Sequence, residues 1–173
     1  MEDILSRAER IRLAIFDVDG VLTDGSLYLS DSGEETKAFN TQDGQGMKML
    51  QSSGVTIAII TGRRSRCVEL RAQNLGVSLL YQGVEDKLGA YDELLALLGL
   101  GREEAAYMGD DLVDLPVMRR CGLAFAVPDA PDIVRMNAHY VTRRRGGRGA
   151  VREACEFLMR MQGKYDDQIA GYL

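Results

Sequence analysis

Short, uniformly apolar runs alternate along this chain with longer stretches whose apolar residues recur every three or four positions. Residues 13–16, 55–60, 105–108 and 123–127 are runs of the first kind. Runs without polar alternation predict strands buried on both faces, as in a parallel sheet. Residues 79–81 and 139–141 read as shorter strands of the same set. Helical spacing predicts helices near residues 46–53, 65–75, 85–98, 112–120, 130–136 and 149–161, and a short charged helix within residues 1–12. Strand–helix alternation of this kind predicts an α/β fold, a doubly wound and mainly parallel sheet, formed as one domain over residues 1–173.

Two segments depart from the alternation. Between residues 26 and 39, two strand-like pieces flank Asp31-Ser32-Gly33, which predicts a β-hairpin projecting from the sheet. The tail, residues 163–173, is polar and is expected to be mobile in an isolated chain. Composition narrows the function classes. A net charge of −5 argues against broad nucleic-acid binding, which needs a basic surface. No apolar stretch has membrane length and no leader is apparent, so the expected location is the cytoplasm. Cys67, Cys121 and Cys155 are odd in number and widely spaced, so buried, reduced thiols are expected in place of a disulfide framework or a zinc site. The only histidine, His139, opens a strand and is expected to be structural.

Candidate chemistry gathers where predicted strands end. Asp17 and Asp19 follow the first strand, and alternation along an extended chain would point both the same way. Two anions so placed call for a cation or a shared proton, although a turn or helix cap uses the same residue types. Thr61-Gly62-Arg63 ends the second long strand and could cradle a phosphate, or simply turn the chain. Lys87 opens a predicted helix, where a cation opposes the macrodipole. Gly109-Asp110-Asp111 with Asp114 sets three carboxylates within five residues, costly without a cation.

In this order, Asp17-x-Asp19, Thr61, Lys87 and Gly109-Asp110-Asp111-x-x-Asp114 resemble the motifs of the haloacid dehalogenase superfamily of phosphatases. The resemblance implies that Asp17 is the nucleophile, Asp19 the general acid/base, and Thr61 and Lys87 the holders of the phosphoryl oxygens. It further implies Mg²⁺ as the cofactor, with Asp17, Asp19 and Asp110 as its ligands; the separate roles of Asp111 and Asp114 stay open. Physical chemistry is consistent with this. A carboxylate attacks a phosphate dianion poorly until a hard cation screens the charge, and one acid must protonate the leaving alkoxide while another attacks.

The hairpin stands where this superfamily inserts cap domains and is too short to form one, so the fold is expected to be capless. Phe39-Asn40-Thr41-Gln42-Asp43-Gly44-Gln45-Gly46, Tyr81-Gln82-Gly83 and Gly146-Gly147-Arg148-Gly149 narrow the resemblance to the 3-deoxy-D-manno-octulosonate 8-phosphate phosphatase family. That family implies a homotetramer whose active sites are shared between subunits, and a small phosphorylated sugar acid as substrate. Implied contacts are Asp19, Asn40, Thr41, Gln42, Asp43, Gly44, Lys48, Arg63, Arg71 and Lys87. Gln42 and Lys48 stand where the family commonly carries Arg, and Arg and Lys are not equivalent toward a carboxylate. Arg143, Arg144, Arg145 and Arg148 could grip an anionic sugar or form a solvated loop. Two other functions stay open: a nonulosonic 9-phosphate phosphatase on the same scaffold, and a phospho-accepting receiver domain.

Overall fold

The computed structural model describes residues 2–173. Its strands are β1 (Leu13–Phe16), β2 (Tyr28–Leu29), β3 (Glu35–Thr36), β4 (Thr56–Thr61), β5 (Leu79–Gln82), β6 (Ala105–Gly109), β7 (Leu123–Ala126) and β8 (Tyr140–Val141). The helices are α1 (Glu2–Arg10), α2 (Thr41–Ser52), α3 (Arg66–Leu75), α4 (Lys87–Leu98), α5 (Leu115–Met118), α6 (Asp132–Met136), α7 (Ala150–Met161) and α8 (Tyr165–Ala170).

Six strands form one sheet in the order β5-β4-β1-β6-β7-β8, and every pairing is parallel. β1, β6 and β7 are buried along their whole length, as their continuous apolar sequences require. Phe16 is level with Ile59 on one side and Met108 on the other. From β1 the chain steps outward to β4 and β5, then returns across β1 to build β6, β7 and β8. Strand order therefore reverses beside β1, and the crevice past its carboxyl end is where such sheets bind ligands. α2 packs on α7, and α4 packs on α5.

Strand positions match the apolar runs to within a residue or two, but several expectations are corrected. α2 starts at Thr41, five residues earlier than expected, because Asn40 caps it by accepting from the N–H groups of Gln42 and Asp43. Its internal glycines serve packing. A Cβ on Gly46 would lie 2.8 Å from Cδ of Arg152 and 3.0 Å from its Cα, so glycine lets α2 approach α7 closely. The helix expected over 112–120 is a 3-10 turn (Leu112–Asp114) followed by the single turn of α5. Asp111 accepts from the N–H of Leu112, while Asp114 turns back to accept from the N–H groups of Asp110 and Asp111.

The hairpin forms with Tyr28 opposite Thr36, and its apolar residues Leu27, Tyr28 and Leu29 are half exposed or more. The tail, expected to be loose, folds into α8. The Arg160 guanidinium lies 3.5 Å from the centre of the Tyr165 ring, Ile169 packs on the core, and Gln45 donates to the Tyr172 hydroxyl. Cys121 and Cys155 are buried, whereas Cys67 is partly exposed, and all three are free thiols. His139 Nδ1 accepts from the N–H of Ala124. Among the described residues, no helix is long and apolar enough to cross a membrane.

Candidate active site

Leaving β1, the chain sets Asp17 at the crevice, its N–H donating to the carbonyl of Met108. A tight turn follows over Val18–Leu22, interrupted by Asp19 in an extended conformation and Gly20 at φ +93°. Only glycine suits that position: besides the left-handed backbone, a Cβ would fall 2.0 Å from Oδ2 of Asp110. Thr23 pins the turn by accepting from the N–H groups of Gly20 and Gly25.

Three carboxylates converge there. Oxygens of Asp17, Asp110 and Asp114 lie within 4.8 Å of one another. Lys87, the first residue of α4 and itself buried, donates to Asp17 at 2.8 Å and to Asp114 at 2.6 Å. Its position is fixed by Asp86, which caps α4 through the N–H of Gly89. Asp114 is wholly buried and accepts in addition from the hydroxyl of Tyr107.

The electrostatics show a shortage of positive charge. Burial, then the charge of Asp114, raises the pKa of Asp17 although Lys87 opposes the shift. Burial, then Asp17 and Asp114, raises that of Asp110. Burial works against the charge of Lys87, but Asp17 and Asp114 together outweigh it and raise its pKa. An ion pair would ordinarily lower its acid. Here one ammonium faces three acids, so full ionisation leaves two negative charges uncompensated. A hard divalent cation with oxygen ligands fits that donor set in charge and in chemistry.

The other expected residues fall into two groups. Asp19 is not in the carboxylate cluster, whose third member is Asp114. The tight turn carries its carboxylate to Lys37, one residue past the hairpin strand β3. Lys37 also lies 3.3 Å from Glu35, and Glu35 accepts from Arg63 at 2.7 Å. Thr61, buried at the end of β4, is two residues past Ile59, the partner of Phe16.

The second group surrounds the start of α2. Asn40 caps this helix and its carbonyl accepts from Arg71, whose guanidinium lies 5.7 Å from the centre of the Phe39 ring. Gly44 leaves room for that guanidinium, since a Cβ would lie 2.3 Å from Nη2. Asp43 is buried and turned toward α7, where it accepts from the N–H groups of Gly149 and Arg152. Within one chain, then, Asp43 ties two helices together and does not face an open site. Thr41, Gln42 and Lys48 are exposed.

Gln42 lines an open groove of about 840 Å³ with Tyr140, Arg143, Arg144, Arg152, Glu153 and Glu156. That groove, the larger, contains none of the carboxylate cluster. A smaller one of about 380 Å³ reaches Gly20 and Asp110, with Arg145 and Arg148 on its rim. Of the carboxylate cluster, Asp110 alone lines the smaller groove. Sequence reasoning missed Lys37, Glu35 and Tyr107, because two sit in a hairpin without a motif and the third in an apolar strand.

Comparison with known proteins agrees with this geometry. Residues 80–153 match the haloacid dehalogenase-like hydrolase family. The 3-deoxy-D-manno-octulosonate 8-phosphate phosphatase of Yersinia pestis is 53% identical over 165 residues, covering 95% of this chain and 88% of that protein. The crystal structure of a probable YrbI family phosphatase from Pseudomonas syringae superposes with a TM-score of 0.97 at 55% identity, covering 99% of this chain and 98% of the other. That of the Moraxella catarrhalis 3-deoxy-D-manno-octulosonate 8-phosphate phosphatase, in complex with magnesium ion, phosphate ion and KDO, has a TM-score of 0.98 at 43% identity, covering 100% and 99%. Agreement in sequence and fold along nearly the entire length has one consequence: the chain belongs to the 3-deoxy-D-manno-octulosonate 8-phosphate phosphatase family of haloacid dehalogenase-like hydrolases.

Proposed function

We propose that this chain is a magnesium-dependent phosphatase that hydrolyses 3-deoxy-D-manno-octulosonate 8-phosphate to the free sugar acid and phosphate, a step in lipopolysaccharide precursor synthesis. The observation that carries this reading is Asp17, buried at the switch point of the sheet between Lys87 and a surplus of carboxylates. Asp17 attacks phosphorus to form an aspartyl-phosphate, and Asp19 protonates the departing sugar oxygen. Asp19 then takes a proton from the water that releases phosphate. Lys87 and Thr61 hold the phosphoryl oxygens. Asp17 and Asp110, with Asp114 beside them, would hold the cation, which screens the repulsion between carboxylate and phosphate when bound.

A capless site is open, and a small sugar phosphate needs more walls than the turn and hairpin provide. We infer that a homotetramer completes it, each site taking residues from a neighbour. The exposed hairpin residues Leu27, Tyr28 and Leu29 and the outward-facing Thr41, Gln42 and Lys48 support this. The three free thiols are in keeping with work in the cytoplasm.

The test is phosphate release with Mg²⁺ from the eight-carbon 8-phosphate and from nonulosonic 9-phosphates, side by side. Higher kcat/KM for the eight-carbon ester is expected. A preference for the nine-carbon esters would overturn the substrate, and an aspartyl-phosphate persisting for minutes without turnover would overturn the phosphatase in favour of a receiver.

A further inference from the structure

We propose that Lys37, carried on the hairpin, is a positioning residue for the phosphatase reaction: it holds the carboxyl group of Asp19 in the pose from which Asp19 protonates the leaving oxygen. The proposal rests on the reading of Asp19 as the general acid.

A lysine on a short projecting hairpin is ordinarily solvated, with its stem along the surface and its ammonium in water. The side chain of Lys37 is only 1% exposed. Its ammonium contacts Oδ1 of Asp19 and lies 3.3 Å from Oε1 of Glu35. Oε1 of Glu35 is buried and completes no hydrogen bond, so the ammonium is aimed at Asp19 and not shared equally between the acids. The other oxygen of Glu35 accepts from Arg63 at 2.7 Å. Carboxylate, ammonium, carboxylate and guanidinium thus alternate from Asp19 outward to Arg63. Glu35 supplies counter-charge that keeps Lys37 in place, and Arg63 in turn fixes Glu35. The row joins three separate segments, the turn after β1, the hairpin and the loop after β4.

This arrangement decides which oxygen of Asp19 does the work. An ammonium has only donors, so Oδ1 receives from Lys37 and the transferable proton resides on Oδ2. In the first step an oxygen of Asp17 bonds to phosphorus as the ester P–O bond breaks; its electron pair stays on the sugar oxygen, which takes the proton from Oδ2. In the second step water bonds to phosphorus and gives a proton to Asp19, and the electron pair of the breaking P–O bond returns to Asp17. Lys37 neither gains nor loses a proton. Its contribution is to restrict the rotation of Asp19, and small misplacements of a proton donor are costly in rate.

The leaving group reads this role directly. A sugar alkoxide must be protonated as it departs, whereas p-nitrophenolate leaves without a proton. The experiment compares wild type, Asp19→Asn, Lys37→Met and Lys37→Arg in saturating Mg²⁺, with the sugar phosphate and with p-nitrophenyl phosphate. Only the first step involves the leaving group, whereas the second needs Asp19 for either ester, so the readout is the rate of leaving-group release in a single turnover. Asp19→Asn and Lys37→Met are both expected to lose that rate on the sugar phosphate by at least about tenfold more than on the aryl ester. The substrate concentration that half-saturates this release should stay near the wild-type value, and Lys37→Arg should recover part of the loss. A retained first-turnover release of p-nitrophenolate also shows that each variant is folded and loaded with metal. Should Lys37→Met fail to fold, Glu35→Gln loosens the ammonium without emptying its place, and a smaller contrast of the same sign is expected. Equal losses on both substrates, a change in half-saturation alone, or no change would overturn the role of Lys37 while Asp19→Asn keeps its contrast. Loss of the contrast in Asp19→Asn itself would overturn the acid reading and this proposal with it.

Discussion

Lys87 is one ammonium shared by two carboxylates, and what it leaves uncompensated governs the chemistry around Asp17. Asp17→Asn keeps the shape and the contact with Lys87 but has no anionic oxygen to attack with. Turnover should vanish while the melting temperature holds or rises, because one of three crowded negative charges is gone; normal turnover in a metal-replete variant would end the mechanism. The same crowding sets a pH dependence. Asp17 and Asp110 have raised pKa values in the folded, metal-free protein, so across the window above the ordinary carboxylate range the native state binds more protons than the unfolded chain. Stability then falls as pH rises. Thermal unfolding in a chelator should show a metal-free protein losing stability from about pH 4 toward neutrality, with Mg²⁺ stabilising it more at the upper end. A stabilisation by Mg²⁺ that is constant with pH would contradict the surplus of acid. Chelation should also silence turnover and Mg²⁺ restore it, whereas excess Ca²⁺ should inhibit, since it takes more and longer oxygen contacts.

At the scale of elements, the α2–α7 pair shows how one side chain replaces a helix cap. Gly149 has no side chain to cap α7, and Asp43 reaches across from α2 to accept from the N–H groups of Gly149 and Arg152. Asp43→Ala would leave those donors unpaired and cost about 1–2 kcal/mol. The loss should appear as a lower urea midpoint with kcat and KM nearly unchanged; a raised KM with unchanged stability would mean that Asp43 touches substrate. β1, β4, β6 and β7 were legible because burial on both faces leaves almost no polar residue to blur the run, while the edge strands β5 and β8 are partly exposed and read only as short apolar pieces. The start of α2 was not, since Gly44 and Gly46 carry turn signals locally and are explained only by Arg71 and Arg152 from elsewhere in the chain. For the same reason Asp110, Asp111 and Asp114 read alike in sequence. Only the 3-10 turn that bends Asp114 inward separates the buried hub from the exposed Asp111. Lys37 had no periodic neighbour to mark it, and its meaning comes from a contact 18 residues away.

For the whole molecule, the question is what encloses a site that no cap covers. Lys37 and Glu35 turn the inner strand of the hairpin toward Asp19 of their own chain, while Leu27, Tyr28 and Leu29 stay exposed on the outer one. Thr41, Gln42 and Lys48 likewise face outward, and Asn40, Gly44 and Arg71 are occupied with one another. The proposed closed ring of four chains requires these outward residues to meet the next chain's crevice. Two variants separate this from a site built within one chain: Asp17→Asn, and a double substitution Gln42→Ala with Lys48→Ala. Each alone should turn over poorly, the first for want of a nucleophile and the second for want of contacts to the sugar acid. Once subunits have exchanged at random, a working site needs an intact Asp17 from one chain and intact Gln42 and Lys48 from its neighbour, so about a quarter of the sites should recover. Recovery should follow the fraction of mixed tetramers seen by native mass spectrometry. With nucleophile and sugar contacts on the same chain, mixing would yield only the sum of the two separate activities, and mixed tetramers showing no more than that sum would rule out the shared site.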